Sequence, residues 1–346
     1  MLLAIDMKIG IVTPAPPRSR YGNRVTALRW ARILRGAGHL VSVNQAYEGE
    51  RLDLLIALHA HRSAASIKRF HREHPDKPII VALTGTDLYG DLAHSPRARE
   101  SLRLATRIVA LQPKALDVLR RPLREKARVI YQSVATATKK ARDDESLDSS
   151  AGPSPSSDRS GPSTREPRTF DVCMIGHLRP VKDPFRAAMA ARLLPASSRI
   201  RVLQAGRAMT ELAAARARAE MKKCPRYRWL GEQPAWRVRR ILERSRLFVL
   251  ASRMEGGANA LGEAIVAGTP VLASRIPGSV GILGEDYPGY FEVGDTRAVA
   301  QLMTRAETDE KFLDRLTEHC SRLVPLFDPA REEEAWMQLL GKLESE

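Results

Sequence analysis

Two glutamates stand on either side of a turn made of small residues, and their spacing indicates what they could bind. Glu255 precedes the turn, and Glu263 lies inside the helix predicted after it. Gly256 and Gly257 leave the turn without side chains, so a ligand could approach backbone N–H groups at the positive end of that helix. A phosphate suits these amides, whereas the carboxylates suit hydroxyl groups of a ribose or another sugar. The alternative is an ordinary strand-turn-helix with two solvated glutamates.

The elements around this turn can be predicted from the residues. The run from Leu247 to Ala251 is short, continuous and aliphatic, which is typical of a buried parallel strand. A helix is predicted to begin near Ala258, and Gly268 with Pro270 ends it. The turn therefore lies at the carboxyl end of a parallel strand, where open α/β sheets bind their ligands.

This arrangement resembles the nucleotide-sugar site of the retaining glycosyltransferases of family four. The resemblance implies the α/β GT-B fold, in which two Rossmann-like domains face a central cleft. It also implies that Glu255 lies beside the donor sugar and that Glu263 holds the nucleotide ribose. The diphosphate would be cradled by the amides of the intervening residues, which are Gly256, Gly257, Ala258, Asn259, Ala260 and Leu261.

Length and charge constrain the class of protein. A chain of 346 residues is long enough for two domains, and its formal net charge is +16. Residues 1–134 carry 23 Lys and Arg against 11 Asp and Glu, so most of the surplus lies in the first half. Such a surplus indicates an anionic partner, which could be a phosphorylated substrate, an acidic membrane face or a nucleic acid. With 5% aromatic residues and no recognisable nucleic-acid module, nucleic acid is the least favoured.

Residues 1–134 are predicted to form the first Rossmann-like domain, which would bind the acceptor. Its predicted strands begin at Lys8, Gly38, Leu52, Ile79, Arg107 and Ala127, and its first helix runs over about 25–36. The loop after the first strand is glycine-rich in the resembling family, where it lies between donor phosphate and acceptor. Here Gly22 is its single glycine, assigned to the nucleotide sugar. Arginine provides a planar fork of donors for oxyanions, so an anionic-acceptor site is predicted at Arg18, Arg20, Asn23 and Arg24. The alternative is a solvated charged loop.

Two other loops of the first domain fall at the same edge. Family members commonly carry a His-Gly-Thr-Asp-like sequence after the fourth strand, and Thr84 replaces that histidine here. Thr84 and Asp87 are assigned to the acceptor site, without the role of the missing histidine. His59 and His61 follow the third strand, and their spacing fits a strand edge better than a metal pair because no third ligand is evident.

The second half is predicted to contain a linker, a nucleotide-sugar domain and a final helix. Residues 135–168 are rich in Ser, Pro and balanced charges and form a predicted disordered linker. The nucleotide-sugar domain is predicted over 169–326, and residues 327–346 form a helix that the GT-B resemblance places back on the first domain. Family members neutralise the diphosphate with an arginine and a lysine. Lys182 keeps the lysine position, His177 occupies the arginine position, and Arg179 could supply the missing charge. The predicted catalytic set is therefore Glu255, Lys182 and Arg179.

Four runs resemble one subgroup of the family more closely, the selenosugar synthases of selenoneine biosynthesis. They span 13–24, 83–89, 176–184 and 254–260, and so cover both domains but not the linker. The resemblance implies transfer of a sugar from UDP-N-acetylglucosamine or UDP-glucose to selenophosphate, with formation of a carbon–selenium bond. Selenophosphate is small, highly charged and already ionised, so cations are needed more than a strong base.

Several alternatives remain open at this point. No Asp-x-Asp occurs in the chain, which favours a metal-independent transferase without cofactors. The chain lacks a signal peptide or membrane-spanning run, and Cys173, Cys224 and Cys320 are few and far apart, so a cytoplasmic protein is expected. A membrane-surface glycosyltransferase is the nearest rival, although no basic amphipathic helix with large apolar residues is evident. A nucleotide-sugar or nucleic-acid binding protein without turnover is the rival from another class.

Overall fold

Two parallel β-sheets of six strands each form the framework of the protein. The structure is a computed structural model, and it describes residues 7–135 and 169–344. All paired strands run parallel, because each is followed by a helix or turn that returns the chain to the other end of the sheet. The predicted linker at 135–168 lies outside the described residues except for its first position.

The first sheet has the strand order β2-β1-β3-β4-β5-β6. Its central strand, β3, reads Leu-Leu-Ile-Ala-Leu and is buried along its whole length, as expected for a parallel strand covered on both faces. The strands of this sheet are β1 Lys8–Val12, β2 Leu40–Asn44, β3 Leu54–Leu58, β4 Ile79–Ala82, β5 Arg107–Ala110 and β6 Ala127–Val129.

The second sheet repeats this arrangement with the order β12-β11-β10-β7-β8-β9. The carboxyl ends of β7, β8 and β10 line a small cavity at one edge of this sheet. The strands of this sheet are β7 Phe170–Ile175, β8 Ile200–Ala205, β9 Tyr227–Trp229, β10 Leu247–Leu250, β11 Val271–Ser274 and β12 Tyr290–Phe291.

Helices follow most strands and cover both faces of the sheets. Those of the first half are α1 Gly22–Gly36, α2 Ala64–Glu73, α3 Pro96–Leu104 and α4 Arg121–Glu125. Those of the second half are α5 Arg186–Ala191, α6 Glu211–Lys223, α7 Ala235–Arg244, α8 Asn259–Val266, α9 Pro277–Leu283, α10 Thr296–Thr308, α11 Glu310–Leu323 and α12 Pro329–Glu344.

The final helix α12 belongs to the core of the first sheet although it follows the second sheet in sequence. Trp336, Leu339 and Leu340 are buried in one cluster with Ile9 of β1 and Trp30 of α1. The two indole rings meet edge to face with their centroids 4.9 Å apart, a favoured geometry for aromatic pairs. The chain therefore crosses between the two halves twice, once near residue 133 and once near residue 327.

The strand positions expected from the apolar runs agree with the structure to within two or three residues at each end. The helix expected over 25–36 begins three residues earlier, at Gly22. The sequence predicted the positions of α1, α8 and α12 only, so the helices α2 to α7 and α9 to α11 and the two-residue strand β12 were not predicted. β12 is too short to produce a periodic pattern, and α9 contains Pro277, Gly278 and Gly281, which are residues typical of turns.

Trp336→Ala is expected to lower the free energy of unfolding by about 3–5 kcal/mol, because it removes a fully buried indole and leaves a cavity against Trp30. Urea denaturation followed by circular dichroism measures the loss. Trp236→Ala is the matched control, since Trp236 is 48% exposed and its removal should change stability by no more than about 0.5 kcal/mol. Equal losses in the two variants would contradict the packing of α12 on the first sheet.

Candidate functional site

The loops at the carboxyl ends of the two sheets touch each other through glycines. An ideal Cβ placed on Gly85 would lie 2.6 Å from the backbone nitrogen of Gly256, and one placed on Gly256 would lie 2.6 Å from the nitrogen of Gly85. On the adjacent turn, a Cβ on Gly257 would lie 2.6 Å from Cβ of Leu111. Glycine is required here because the two backbones approach more closely than any side chain allows.

Glu255 is held at the centre of this contact. Its carboxylate is 8% exposed, accepts a hydrogen bond of 2.6 Å from Oγ of Ser252 and forms an ion pair with Nζ of Lys182. The two residues predicted to act on donor sugar and diphosphate are thus brought together from β10 and from the turn after β7. Because Glu255 offsets the charge of Lys182, an incoming diphosphate would compete with it for this lysine.

Helix α8 presents an uncapped amino terminus to the cleft. Its first residue is Asn259, and the preceding Ala258 has no side chain that could cap the first N–H groups. Gly22, at the start of α1, faces the first residue of α8, because a Cβ placed on Gly22 would lie 3.8 Å from Nδ2 of Asn259. The amide of Gly256 is covered by Gly85, so any contact of that amide with a diphosphate requires the two turns to separate.

Glu263 lies one turn further along α8 and faces a cation from the other half of the chain. Burial raises the pKa of its carboxyl, and the positive charge of Arg29 acts in the opposite direction. Arg29 itself donates a 2.8 Å hydrogen bond from Nη2 to Oδ1 of Asn259. A carboxylate enclosed in this way can accept hydroxyl hydrogen bonds with little competition from water.

Arg29 is a site residue that the sequence patterns did not indicate. Its guanidinium hydrogen-bonds the carbonyl of Ser133 in the first crossover, and its Nε lies 3.6 Å from Glu332 of α12. Glu332 is 2% exposed and accepts hydrogen bonds of 2.8 Å from the Trp30 indole and the Ser133 amide. A cluster of one guanidinium and one carboxylate thus joins both crossovers to the start of α8. An arginine on an otherwise apolar helix face was the available signal.

The arginine loop divides into residues with different roles. Arg20 donates a 2.8 Å hydrogen bond to the carbonyl of Gln233, and its own carbonyl accepts one of 3.2 Å from Nε2 of His177. Arg20 therefore links the two halves of the chain in this conformation, and its assignment to the acceptor site stays a prediction. Arg18 is exposed and has a left-handed backbone conformation, with φ 61°. Asn23 is partly buried at the start of α1.

Arg24 remains the strongest candidate of the loop for an anion. Its Nε and Nη1 atoms are buried, and within the described parts of the chain they have no hydrogen-bond partner. A buried guanidinium nitrogen without a hydrogen-bond partner costs free energy, so a ligand oxyanion would supply the missing acceptor.

His177 does not supply the positive charge of the arginine it replaces. Its Nδ1 accepts a hydrogen bond of 3.3 Å from the amide of Arg207, which leaves the proton on Nε2, where it is donated to Arg20. Burial lowers the pKa of His177 further. Lys182 is therefore the cation that contacts Glu255, and Arg179 is partly buried three residues before it in the same loop.

Thr84 and Asp87 are joined in one hydrogen-bonded turn, and their assignment to the acceptor site stays a prediction. Asp87 is fully buried, and its carboxyl oxygens accept hydrogen bonds from the amide of Ala60, the amide of Thr84 and the Thr84 hydroxyl, all of 2.8–2.9 Å. Burial raises the pKa of Asp87 to about 7, against the effect of these hydrogen bonds. These hydrogen bonds engage both side chains and position Gly85.

His59 and His61 have separate partners and do not act as a pair. His59 has a positive φ of 74°, is 1% exposed and contacts Oγ1 of Thr86 through Nε2 at 3.0 Å. Burial, followed by the charge of Arg62, lowers the pKa of His59 to about 4, so this ring is neutral at pH 7. Nδ1 of His61 contacts Oγ of Ser95 at 2.7 Å. Among the residues described, no group of three His, Cys, Asp or Glu is placed to hold a metal ion.

Solved structures with the same architecture define the fold. Anabaena HepE in complex with UDP-glucose superposes with a TM-score of 0.71 at 14% identity, covering 98% of this chain and 100% of that one. Sucrose-phosphate synthase from Thermosynechococcus elongatus superposes with a TM-score of 0.73 at 14% identity, covering 98% and 99% of the two chains. The fold is therefore the GT-B fold, with two Rossmann-like domains facing a cleft, as the glutamate motif predicted.

The second domain carries the family signal. Residues 159–321, which are less than half of the chain, match the family model described as "Glycosyl transferases group 1". A curated relative is the UDP-Gal:alpha-D-GlcNAc-diphosphoundecaprenol alpha-1,3-galactosyltransferase of Escherichia coli, 30% identical over 165 residues. The aligned segment covers 45% of this chain and 41% of that relative, so this chain spans less than half of its length. Within 7–135 and 169–344, every helix is too short or too polar to cross a bilayer.

Gly85→Ala is expected to hold the two domains apart, because its Cβ would meet backbone atoms of Gly256 and Glu255 within 3 Å and backbone cannot move aside. Small-angle X-ray scattering should give a larger radius of gyration for this variant than for the parent. Gly36→Ala is the control, since a Cβ there meets nothing within 4 Å. An unchanged radius of gyration in Gly85→Ala would show that the glycine contact does not set the distance between the domains.

Proposed function

We propose that the protein is a metal-independent glycosyltransferase that transfers a sugar from a UDP-sugar to selenophosphate. The observation that carries the donor half is the arrangement of Glu255, Lys182 and the uncapped start of α8 around one turn at the cleft. The neighbouring structure of HepE contains UDP-glucose, and the Escherichia coli relative is named for a UDP-galactose donor. The donor is proposed to be UDP-N-acetylglucosamine or UDP-glucose.

Each part of the UDP-sugar has a proposed partner among the side chains and backbone amides of the second domain. Glu263 would accept the ribose hydroxyls, and the amides from Gly257 to Leu261 would hold the diphosphate at the positive end of α8. Lys182 and Arg179 would neutralise the charge that develops on the departing diphosphate, which removes the need for a metal ion. Glu255 would lie beside the transferred sugar, next to Lys182.

The acceptor is proposed to bind at Arg24. Its buried and unpartnered guanidinium nitrogens favour a small oxyanion, and Gly22 and Asn259 lie close by across the cleft. Selenophosphate has a nucleophilic selenium that is already ionised at neutral pH. No residue has to remove a proton from it, which fits the presence of Thr84 where family members carry a histidine.

The proposed reaction exchanges one bond for another at the anomeric carbon. The selenium lone pair forms the carbon–selenium bond, the bond from that carbon to the diphosphate oxygen breaks, and UDP leaves with the electron pair. Because selenophosphate and the diphosphate are both anionic, cations from both domains are needed to bring them together. The interdomain contact must open to admit the donor and close again around both substrates.

The test of this function is UDP release from each UDP-sugar, with and without selenophosphate, in the presence of EDTA. The expected result is release that depends on selenophosphate. Arg24→Gln should raise the KM for selenophosphate about 10- to 100-fold, through loss of a charge-assisted contact. Arg103→Gln removes an exposed charge from the same domain and should change nothing. Absence of release in all conditions would overturn the enzyme function, and equal KM values for parent and Arg24→Gln would overturn the acceptor site.

Glu263→Gln is expected to weaken UDP-glucose binding about 10- to 100-fold, because the ribose hydroxyls lose an ionised acceptor. In the parent, affinity should fall on acidification. The raised pKa of Glu263 means that the carboxyl takes up its proton at a higher pH than an exposed glutamate does, and the protonated form accepts these hydrogen bonds poorly. Calorimetric titrations across pH 5–8 measure this, and the Gln variant should lack that dependence. A variant with the parent's affinity and pH profile would place the ribose elsewhere.

A second candidate acceptor is a lipid-linked sugar at a membrane surface. Helix α7 exposes Trp236 together with Arg237, Arg240 and Arg244, so a basic amphipathic helix is present although none was evident from the sequence. The Escherichia coli relative is named for a diphosphoundecaprenol acceptor. Co-sedimentation with phosphatidylglycerol vesicles that is lost in Trp236→Ser would favour this acceptor. Failure to sediment with anionic vesicles, together with selenophosphate-dependent UDP release, would exclude it.

The cytoplasm is the proposed location of the protein. Cys173, Cys224 and Cys320 are buried free thiols, which fits a reducing compartment.

A further inference from the structure

An open pocket of about 590 Å³ lies in the first domain, between the loops that follow β3 and β4. Its volume is in the range of small-molecule sites. It lies apart in sequence from the arginine loop at 18–24, to which the acceptor is assigned. The residues that line it are His61, Gly90, Asp91, His94, Ser95, Pro96 and Arg97.

Four of the seven residues that line this pocket, His61, His94, Ser95 and Arg97, carry side-chain hydrogen-bond donors. Oγ of Ser95 accepts a hydrogen bond of 3.1 Å from the amide of Ala98 and lies 2.7 Å from Nδ1 of His61. When the Ser95 hydroxyl donates to Nδ1, the ring proton of neutral His61 is on Nε2, which makes that nitrogen a donor. His94 and Arg97 are exposed at the same pocket, and in the described parts of the chain Arg97 has no ion pair.

Asp91 is the one carboxylate of the lining and determines which anion the pocket fits. It comes at the end of the π-helical turn Asp87–Asp91, and its Oδ2 lies 3.8 Å from Nε2 of the buried His59. Because His59 is neutral, the negative charge of Asp91 is not cancelled there. A bare oxyanion in the pocket would be repelled by Asp91, whereas a ligand with a hydroxyl group could donate a hydrogen bond to it.

We propose that this pocket binds a phosphomonoester of a small hydroxylated molecule. The phosphate group would be held by His61, His94 and Arg97, and a hydroxyl group would donate to Asp91. Arginine has five N–H donors and each neutral imidazole adds one, which is enough for the three terminal oxygens of a monoester. Single π-helical turns are rare and are found frequently at functional sites, and this one carries Asp91.

The position of the pocket relates the ligand to the two-domain contact. A Cβ on Gly90 would lie 3.7 Å from Cε of Met254, the residue directly before Glu255. A bound phosphomonoester would therefore lie at the edge of the contact between the domains and next to the turn assigned to the donor. The site does not depend on the proposed reaction, because each of its lining residues belongs to the first domain.

Calorimetric titration of the full chain with glycerol 3-phosphate, inorganic phosphate and glycerol tests the site. The parent should bind glycerol 3-phosphate at least about tenfold more tightly than inorganic phosphate and should not bind glycerol at the same concentrations. Arg97→Gln should weaken both phosphate ligands about 10- to 100-fold, as expected for loss of a charge-assisted hydrogen bond. Arg103→Gln, on the same helix and exposed, is the matched control and should bind like the parent.

The Asp91→Asn variant distinguishes binding at the proposed site from non-specific attraction of anions to a basic surface. Removing this charge should strengthen binding of sulfate, which is fully deprotonated and has no hydroxyl group, and weaken binding of glycerol 3-phosphate, whose hydroxyl groups can donate to Asp91. A change of the same sign for both ligands would overturn the role of Asp91. Equal weakening by Arg97→Gln and Arg103→Gln, or no binding by the parent at millimolar concentration, would overturn the site.

Titrations repeated with UDP present distinguish this pocket from the donor site. Retained binding of glycerol 3-phosphate supports a separate site, whereas its displacement by UDP would place the phosphate at the donor diphosphate position and overturn the proposal. Thermal melting of each variant without ligand shows whether it is folded. If Arg97→Gln were unfolded, Arg97→Lys, which keeps the charge and loses the planar fork, would take its place with a smaller loss expected for both ligands.

Discussion

The buried guanidinium of Arg29 is the interaction on which the arrangement of the two domains depends. Burial lowers the pKa of this arginine, and the nearby carboxylates of Glu332 and Glu263 act in the opposite direction. A charge in such a place is tolerated only with well-formed partners, and the carbonyl of Ser133 and the amide oxygen of Asn259 complete the set. One side chain thus connects the first crossover, the returning helix α12 and the first residue of α8.

This connection has a consequence for how the cleft works. The start of α8 is the proposed diphosphate site, and Arg29 reaches it from the domain that carries the arginine loop. Movement of the domains against each other must therefore alter the surroundings of Asn259 and Glu263. Closing is limited by the glycine contact between residues 85 and 256, where backbone meets backbone. A fixed connection between the domains and a limit on their closing would help a transferase to bring two anionic substrates together and exclude water.

Charge is distributed unevenly over this framework. The surplus of Lys and Arg lies in the first domain, and many of these side chains are exposed on α1, α2 and α4. Arg24 differs from them because two of its nitrogens are buried and have no hydrogen-bond partner among the described residues. The pocket of His61 and Arg97 differs in another way, since its exposed donors lie around a pocket that also contains a carboxylate. Isolated surface arginines attract anions of many kinds, whereas donors combined with a carboxylate can select among them.

The sequence by itself determined the two parallel sheets and the glycine turn after Glu255. These are local properties, since a buried strand is a short aliphatic run and a phosphate-facing turn is a pair of glycines before a helix. Only the tertiary structure decided which polar groups form hydrogen bonds with one another. Arg20 and Arg24 are alike in sequence, yet one binds a carbonyl of the other domain and the other is left without a partner. The sequence predicted that Asp87 binds the acceptor, whereas in the structure its carboxylate accepts hydrogen bonds from the amides of Ala60 and Thr84. Which polar groups meet across a cleft depends on contacts between residues more than two hundred positions apart, and such contacts produce no periodic pattern in the chain.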